Sequence, residues 1–93
     1  MKENKNFPNL LRADMQALSN RLPLVESLGN HRVIIENHAG IREYDPLCIC
    51  VCTCGGHITV KGSCLKIAVM TKFRLAITGH IDSIHYMLEG ADK

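Results

Sequence analysis

The chain has no tryptophan, and its only aromatics are two Tyr and two Phe among 93 residues. A core without large rings must be filled by Ile, Val and Leu. Such a core is thin, and a small sheet of this kind often gains stability by burying a face in a partner or in another copy of itself. A homo-oligomer is therefore expected. Length leaves room for one domain and no second core. No apolar run approaches the roughly 20 residues that a membrane-spanning helix needs. The opening stretch, MKENKNFPNLLRADMQALSNRLPL, lacks the continuous apolar segment of a secretory leader. These absences lead to the expectation of a soluble, cytoplasmic protein.

No charge of one sign dominates. Eleven basic and nine acidic residues give a formal net charge of +2 and are spread along the chain, whereas a nucleic-acid footprint wants Lys and Arg clustered on one face. No nucleic-acid partner is expected. Catalytic signatures are missing as well: there is no G-x-S-x-G, no phosphate-binding G-x-x-x-x-G-K-[ST] and no H-E-x-x-H. The carboxylates Glu26, Glu36, Glu43, Asp45 and Asp82 occur singly. His31, His38, His57, His80 and His85 are scattered among turns and strand starts, without the i, i+4 spacing of a helical metal pair. The expectation is a protein that is not an enzyme, with no cofactor and no small-molecule substrate.

What the chain does have begins with a helical pattern. Leu11, Met15, Leu18 and Leu22 recur at spacings of four, three and four, Pro8 suits a first turn and Pro23 marks a stop. Residues 1–22 are therefore read as a segment carrying one amphipathic helix. Its apolar stripe either closes over the domain's own sheet or is offered to a partner protein or a membrane surface. From Leu24 the rhythm changes to period two, with turn residues at 29–30, 37–40, 45–46, 55–56, 61–63, 70–72 and 78–80. Short Val-, Ile- and Thr-rich segments at that spacing predict a mainly β domain over 23–89 of about 7–8 short antiparallel strands, as a meander, curled sheet or small sandwich. Residues 90–93 are a tail.

Five cysteines, an odd count, suit a reducing compartment. Four of them, Cys48, Cys50, Cys52 and Cys54, occupy every second position before Gly55-Gly56. A two-residue turn at those glycines sets Cys54 opposite His57, Cys52 opposite Thr59 and Cys50 opposite Lys61, while Ile49, Val51, Ile58 and Val60 share the other face. A loop at Met70–Lys72 likewise sets Val69 against Phe73, Ile67 against Leu75 and Leu65 against Ile77.

The thiols should then look away from the core. An extended strand advances about 3.3 Å per residue, so Cys48 and Cys54 lie roughly 20 Å apart and one ion cannot use the whole ladder. A metal or redox site is the alternative reading, built from Cys52, Cys54 and His57, with Cys64 if the sheet folds back. Packing of small apolar side chains on a covered face is the favoured one. Leu11, Met15, Leu18 and Leu22 of the helix, with Cys48, Cys50, Cys52 and Cys54, form the candidate interface.

Several residues in this frame match a known family. Gly29-Asn30, then Ile34-Ile35-Glu36-Asn37-His38, Gly40-Ile41 and Tyr44 resemble the YabP/YqfC family of sporulation proteins, nearer its YqfC-type branch, in which an IENH-x-GI run recurs. The likeness continues through Gly56-x-Ile58-x-Val60-x-Gly62, Leu65-x-Ile67 and Gly79-x-Ile81-x-Ser83-Ile84, from about Leu22 to Tyr86. The resemblance implies a small, non-enzymatic β protein of the mother cell of a spore-forming bacterium, at or near the forespore membrane. It also implies a role in assembly with a membrane-anchored sporulation partner of the YqfD type. It carries no catalytic residue to this chain. Gly29, Asn30, Glu36, Asn37, His38 and Gly40 match the motif, and the plain physical reading of Asn37 to Gly40 is a tight turn. The cysteine ladder departs from the family, whose members tend to carry polar or charged side chains there.

Overall fold

The computed structural model describes residues 22–88. Six strands occupy that span: β1 (Leu24–Leu28), β2 (Arg32–Glu36), β3 (His38–Asp45), β4 (Cys48–Thr53), β5 (Gly56–Met70) and β6 (Arg74–Leu88). All neighbours run antiparallel, in the order β1-β2-β6-β5-β4-β3. The sheet is not closed; it ends on β1 at one side and β3 at the other.

The mainly β expectation holds, but the strand count falls from about 7–8 to six, and the reason lies in two glycines. The stretches at 61–63 and 78–80 read as turns, yet both lie inside 15-residue strands. Gly62 sits where β6 passes so closely that a Cβ would stand 1.9 Å from the carbonyl oxygen of His80. Glycine here makes room for a backbone and bends a strand without ending it. The β5–β6 register slips between Lys61 and Gly62, between Ser63 and Lys66, and between Ile67 and Val69. Bulges of this kind bend and twist a strand pair.

The bend divides the long hairpin in two. The first half of β5 carries β4 and, through it, β3; the first half of β6 carries β2 and β1. Turns from both wings are stitched to the bend. Gly62 N–H donates to the Leu47 carbonyl at 3.1 Å and Leu65 N–H to Pro46 at 2.9 Å. Gly79 N–H donates to His31 at 3.2 Å and Ile81 N–H to Asn30 at 2.9 Å. The β3–β4 turn is shaped locally by Asp45, whose Oδ1 accepts from Leu47 N–H at 2.9 Å.

The core joins strands from both wings: Val33 and Ile35 of β2, Ile49 and Val51 of β4, Ile58 and Val60 of β5, Leu75 and Ile77 of β6. Residues of β2 and β4 are separated by two intervening strands in the sheet order, so their common burial requires the sheet to curl on its aliphatic face. No helix occurs among the described residues. The helical stripe Leu11, Met15 and Leu18 lies outside them, and Leu22 is 47% exposed.

Candidate functional site

The cysteine ladder is built on β4, where period-two alternation sends Ile49 and Val51 into the core and Cys48, Cys50 and Cys52 to the opposite face. That division of faces is as the sequence predicts; the register is not. Cys48 faces Lys61, Cys50 faces Thr59 and Cys52 faces His57, with Thr53 opposite Gly56. The turn is therefore Cys54-Gly55, one residue earlier, which slips the pairing by two and keeps every side chain on its face. Gly55 supplies the positive φ, +85°, that the turn needs. Gly56 is required for a different reason: a Cβ there would lie 1.9 Å from the carbonyl oxygen of Met87 in β6. The second hairpin is displaced the other way, by two residues at Ile67 and by three at Val69, across a bulge. Ile67 faces Ile77, Val69 faces Ala76 and Met70 faces Leu75, leaving Phe73 in the loop, 61% exposed.

The thiols differ in their surroundings. Cys50 is 5% exposed, flanked by Glu43 of β3 and Thr59 of β5, and its sulfur accepts from Thr59 Oγ1 at 3.5 Å. Cys48 and Cys52 are half-buried; Cys54 in the turn and Cys64 in the bend are exposed. No described cysteine forms a disulfide. Desolvation pushes the Cys48 thiol above its ordinary value, the Glu43 carboxylate adds to the rise, and Lys61 opposes it. A thiol that holds its proton is a poor nucleophile and a poor ligand.

The four-residue metal set is not brought together. Cys52 and His57 are cross-strand neighbours, but Cys64 lies eight positions beyond Gly56, roughly 25 Å along an extended strand. The Arg42 guanidinium donates to His57 Nδ1 at 3.1 Å, placing a positive charge where a cation would sit. Among the described residues no group of three or more His, Cys, Asp or Glu could hold a metal ion.

The motif residues form a second, tighter constellation. β2 ends at Glu36, which pairs in register with Arg74 and reaches its Nε at 3.8 Å. Asn37 is the single residue between β2 and β3 and takes a left-handed φ of 66°, a conformation Asn tolerates better than other side-chain-bearing residues. Its N–H donates to the Phe73 carbonyl at 2.6 Å, and its amide Nδ2 donates to the Leu22 carbonyl at 2.9 Å.

His38, 8% exposed, completes the corner. Gly40 N–H donates to its Nδ1 at 3.0 Å, so that nitrogen carries no proton; Nε2 then bears the hydrogen and donates to the Thr71 carbonyl at 2.8 Å. Thr71 in turn closes the loop, its N–H donating to the Arg74 carbonyl and its Oγ1 accepting from Arg74 N–H. Glu36, Asn37 and His38 thus fasten the β5–β6 loop to the β2–β3 corner. At the other end of β2, Gly29 turns with φ +56° and Asn30 supplies the carbonyl for Ile81. Both ring nitrogens of His38 are engaged by backbone, which leaves neither for proton transfer. The sequence reading identified the motif but not its partners Thr71, Phe73 and Arg74, because nothing in a loop sequence announces which backbone carbonyls a distant histidine will meet.

The described surface also exposes apolar side chains outside the ladder. Leu22, Leu24, Met70 and Phe73 belong to segments joined at this corner, and Tyr86, Met87 and Leu88 end β6 beside the Cys54-Gly55 turn. No helix among the described residues is long and apolar enough to cross a membrane. Comparison with curated proteins and with solved structures finds no match to the chain. The family comparison agrees with the motif: the model described as the YabP family matches residues 24–93, the whole β domain, and the chain belongs to that family.

Proposed function

We propose that this chain is a non-enzymatic assembly factor of sporulation, working by association with itself and with a membrane-anchored sporulation partner of the YqfD type. Within the family we place it with the YqfC-type branch, and in the mother cell, peripheral to the forespore membrane. Membership of the YabP family over residues 24–93 carries this reading. Two features of the fold support it. The motif residues Glu36, Asn37 and His38 are spent on holding a corner together. The half-buried thiols of Cys48 and Cys52 on either side of buried Cys50 share their face with Glu43 and Lys61, a mixed apolar and charged surface suited to contact with another protein.

The test has a cellular and a biophysical arm. Disrupting the gene in a spore-forming host should block or delay spore maturation, and the wild-type chain should restore it. Titration calorimetry of the full chain against the soluble region of the YqfD-type partner should give saturable binding in the micromolar range. Normal spores in the disruptant together with no heat of binding would remove the proposal.

A further inference from the structure

Among the described residues the sheet does not close, so its two end strands have outward N–H and C=O groups with no neighbouring strand, and proteins guard such edges with bulges, charges and glycine kinks. The two edges here are guarded unequally. β3 slips register twice, between His38 and Ile41 and between Ile41 and Glu43, and Arg42, Glu43 and Asp45 put three charges in its last four residues. β1, with the sequence LVESL, pairs with β2 without a slip from Leu24 opposite Glu36 to Leu28 opposite Arg32. It has no bulge, no glycine, no proline and one charge, Glu26. Leu24 and Leu28, on the same face as Glu26, are 58% and 69% exposed.

We infer that the outer edge of β1 is a self-association site, on which β1 of a second copy adds antiparallel about a twofold axis and joins two six-stranded sheets into one. The inference deepens the assembly reading and rests on it for a biological role. Backbone N–H and C=O groups along an edge are satisfied in regular fashion only by another strand. Pairing of β1 with β3 of a second copy would be head-to-tail and would propagate into a filament. The bulges and charges of β3 oppose it. Pairing of β1 with β1 is isologous and closes at two copies.

Charge then selects the register. A twofold axis perpendicular to the sheet keeps each face on its own side, so only residues of equal parity can stand opposite one another. Three central registers remain. One sets Glu26 against Glu26 of the partner, a like-charge pair. The second sets Glu26 against Leu24, in the row of Glu36, again like beside like. The third sets Glu26 against Leu28, in the row of Arg32, with Ser27 on the axis. Glu26, Ser27, Leu28 and Arg32 already line a shallow hollow with Ile34. In the third register each hollow receives the partner's carboxylate beside its own Arg32.

Light scattering of the full chain, from about 10 µM to about 1 mM, reads the dimer. The contact is short, so a dissociation constant on the order of 100 µM is expected. Glu26→Arg or Arg32→Glu alone should weaken it about tenfold or more, and the double swap should restore it. A photo-crosslinking residue at Ser27 should join two copies. A monomer at every concentration overturns the proposal, as does a dimer indifferent to both single changes. Amide exchange is the second readout. β1 amides equally protected at both ends of the concentration range would mean another part of the same chain covers the edge, which also overturns it. A dimer lost on Cys48→Ser with Cys52→Ser, but not on the β1 changes, sinks this inference and leaves the assembly reading standing.

Discussion

Replacing His38 by alanine should be among the most damaging single changes in this domain, although it removes no aliphatic core residue. The imidazole is 8% exposed and makes two hydrogen bonds to backbone, accepting from Gly40 N–H and donating to the Thr71 carbonyl. Its removal leaves a part-buried donor and a part-buried acceptor without their partner. A group stranded in this way costs about 1–3 kcal/mol, and both sites sit near enough to solvent that the lower half of that range applies. With the lost ring contacts the total is about 2–4 kcal/mol, a large share of the roughly 5–15 kcal/mol that holds a small domain folded. At about 4–8 °C per kcal/mol for a domain of this size, the midpoint falls by roughly 10–30 °C. Thermal and urea unfolding followed by circular dichroism measure it. Amide exchange supplies the local signature, because Gly40 N–H should lose its protection and the 71–74 loop should loosen with it. A loss of less than about 0.5 kcal/mol, with Gly40 still protected, would refute the role given to His38.

Gly56→Ala should be more disruptive than Gly55→Ala. The first drives a Cβ to 1.9 Å from the Met87 carbonyl and forces β5 and β6 apart, whereas the second meets nothing within 4 Å and costs about 1 kcal/mol for its positive φ; urea midpoints rank them. Native-state labelling with a thiol reagent near pH 8, read by mass spectrometry, should modify Cys54 and Cys64 first, Cys48 and Cys52 more slowly, and Cys50 last; early labelling of Cys50 would contradict its burial. The raised Cys48 value carries a sign for stability. The folded thiol keeps its proton to higher pH than the unfolded one, so its contribution is whole below the ordinary value of 9.0 and is lost as pH rises through the raised value. The stability difference between the wild type and Cys48→Ser should accordingly change between pH 8 and pH 10, against the wild type, and a difference flat across that window would refute the shift.

Much of this architecture is legible in the residues because period-two alternation is a strong signal wherever one face is aliphatic. Ile49, Val51, Ile58 and Val60 sort onto one face and the thiols onto the other regardless of which turn is chosen, since a slip of two residues leaves the faces unchanged. The exact partners are not legible. Two adjacent glycines look like one turn, but Gly55 serves the turn and Gly56 makes room for a third strand, and only the second role depends on residues thirty positions away. Glycines at 62 and 79 mislead in the same way, marking a bend in two long strands where four shorter ones were expected. Burial of Cys50 follows from its place between β3 and β5 in mid-sheet, a matter of strand order that local pattern does not contain. The Glu36-Asn37-His38 run announces a turn by composition; that it is also the anchor for a loop 33 residues downstream is tertiary information.

Sedimentation analysis of the full chain, alone and mixed with the soluble region of the proposed YqfD-type partner, bears most directly on the proposal that this protein acts by contact and not by catalysis. The account predicts species heavier than the 10.3 kDa monomer, rising with concentration and joined by a mixed complex when the partner is added. A 10.3 kDa boundary that neither grows with concentration nor shifts when the partner is added would contradict it.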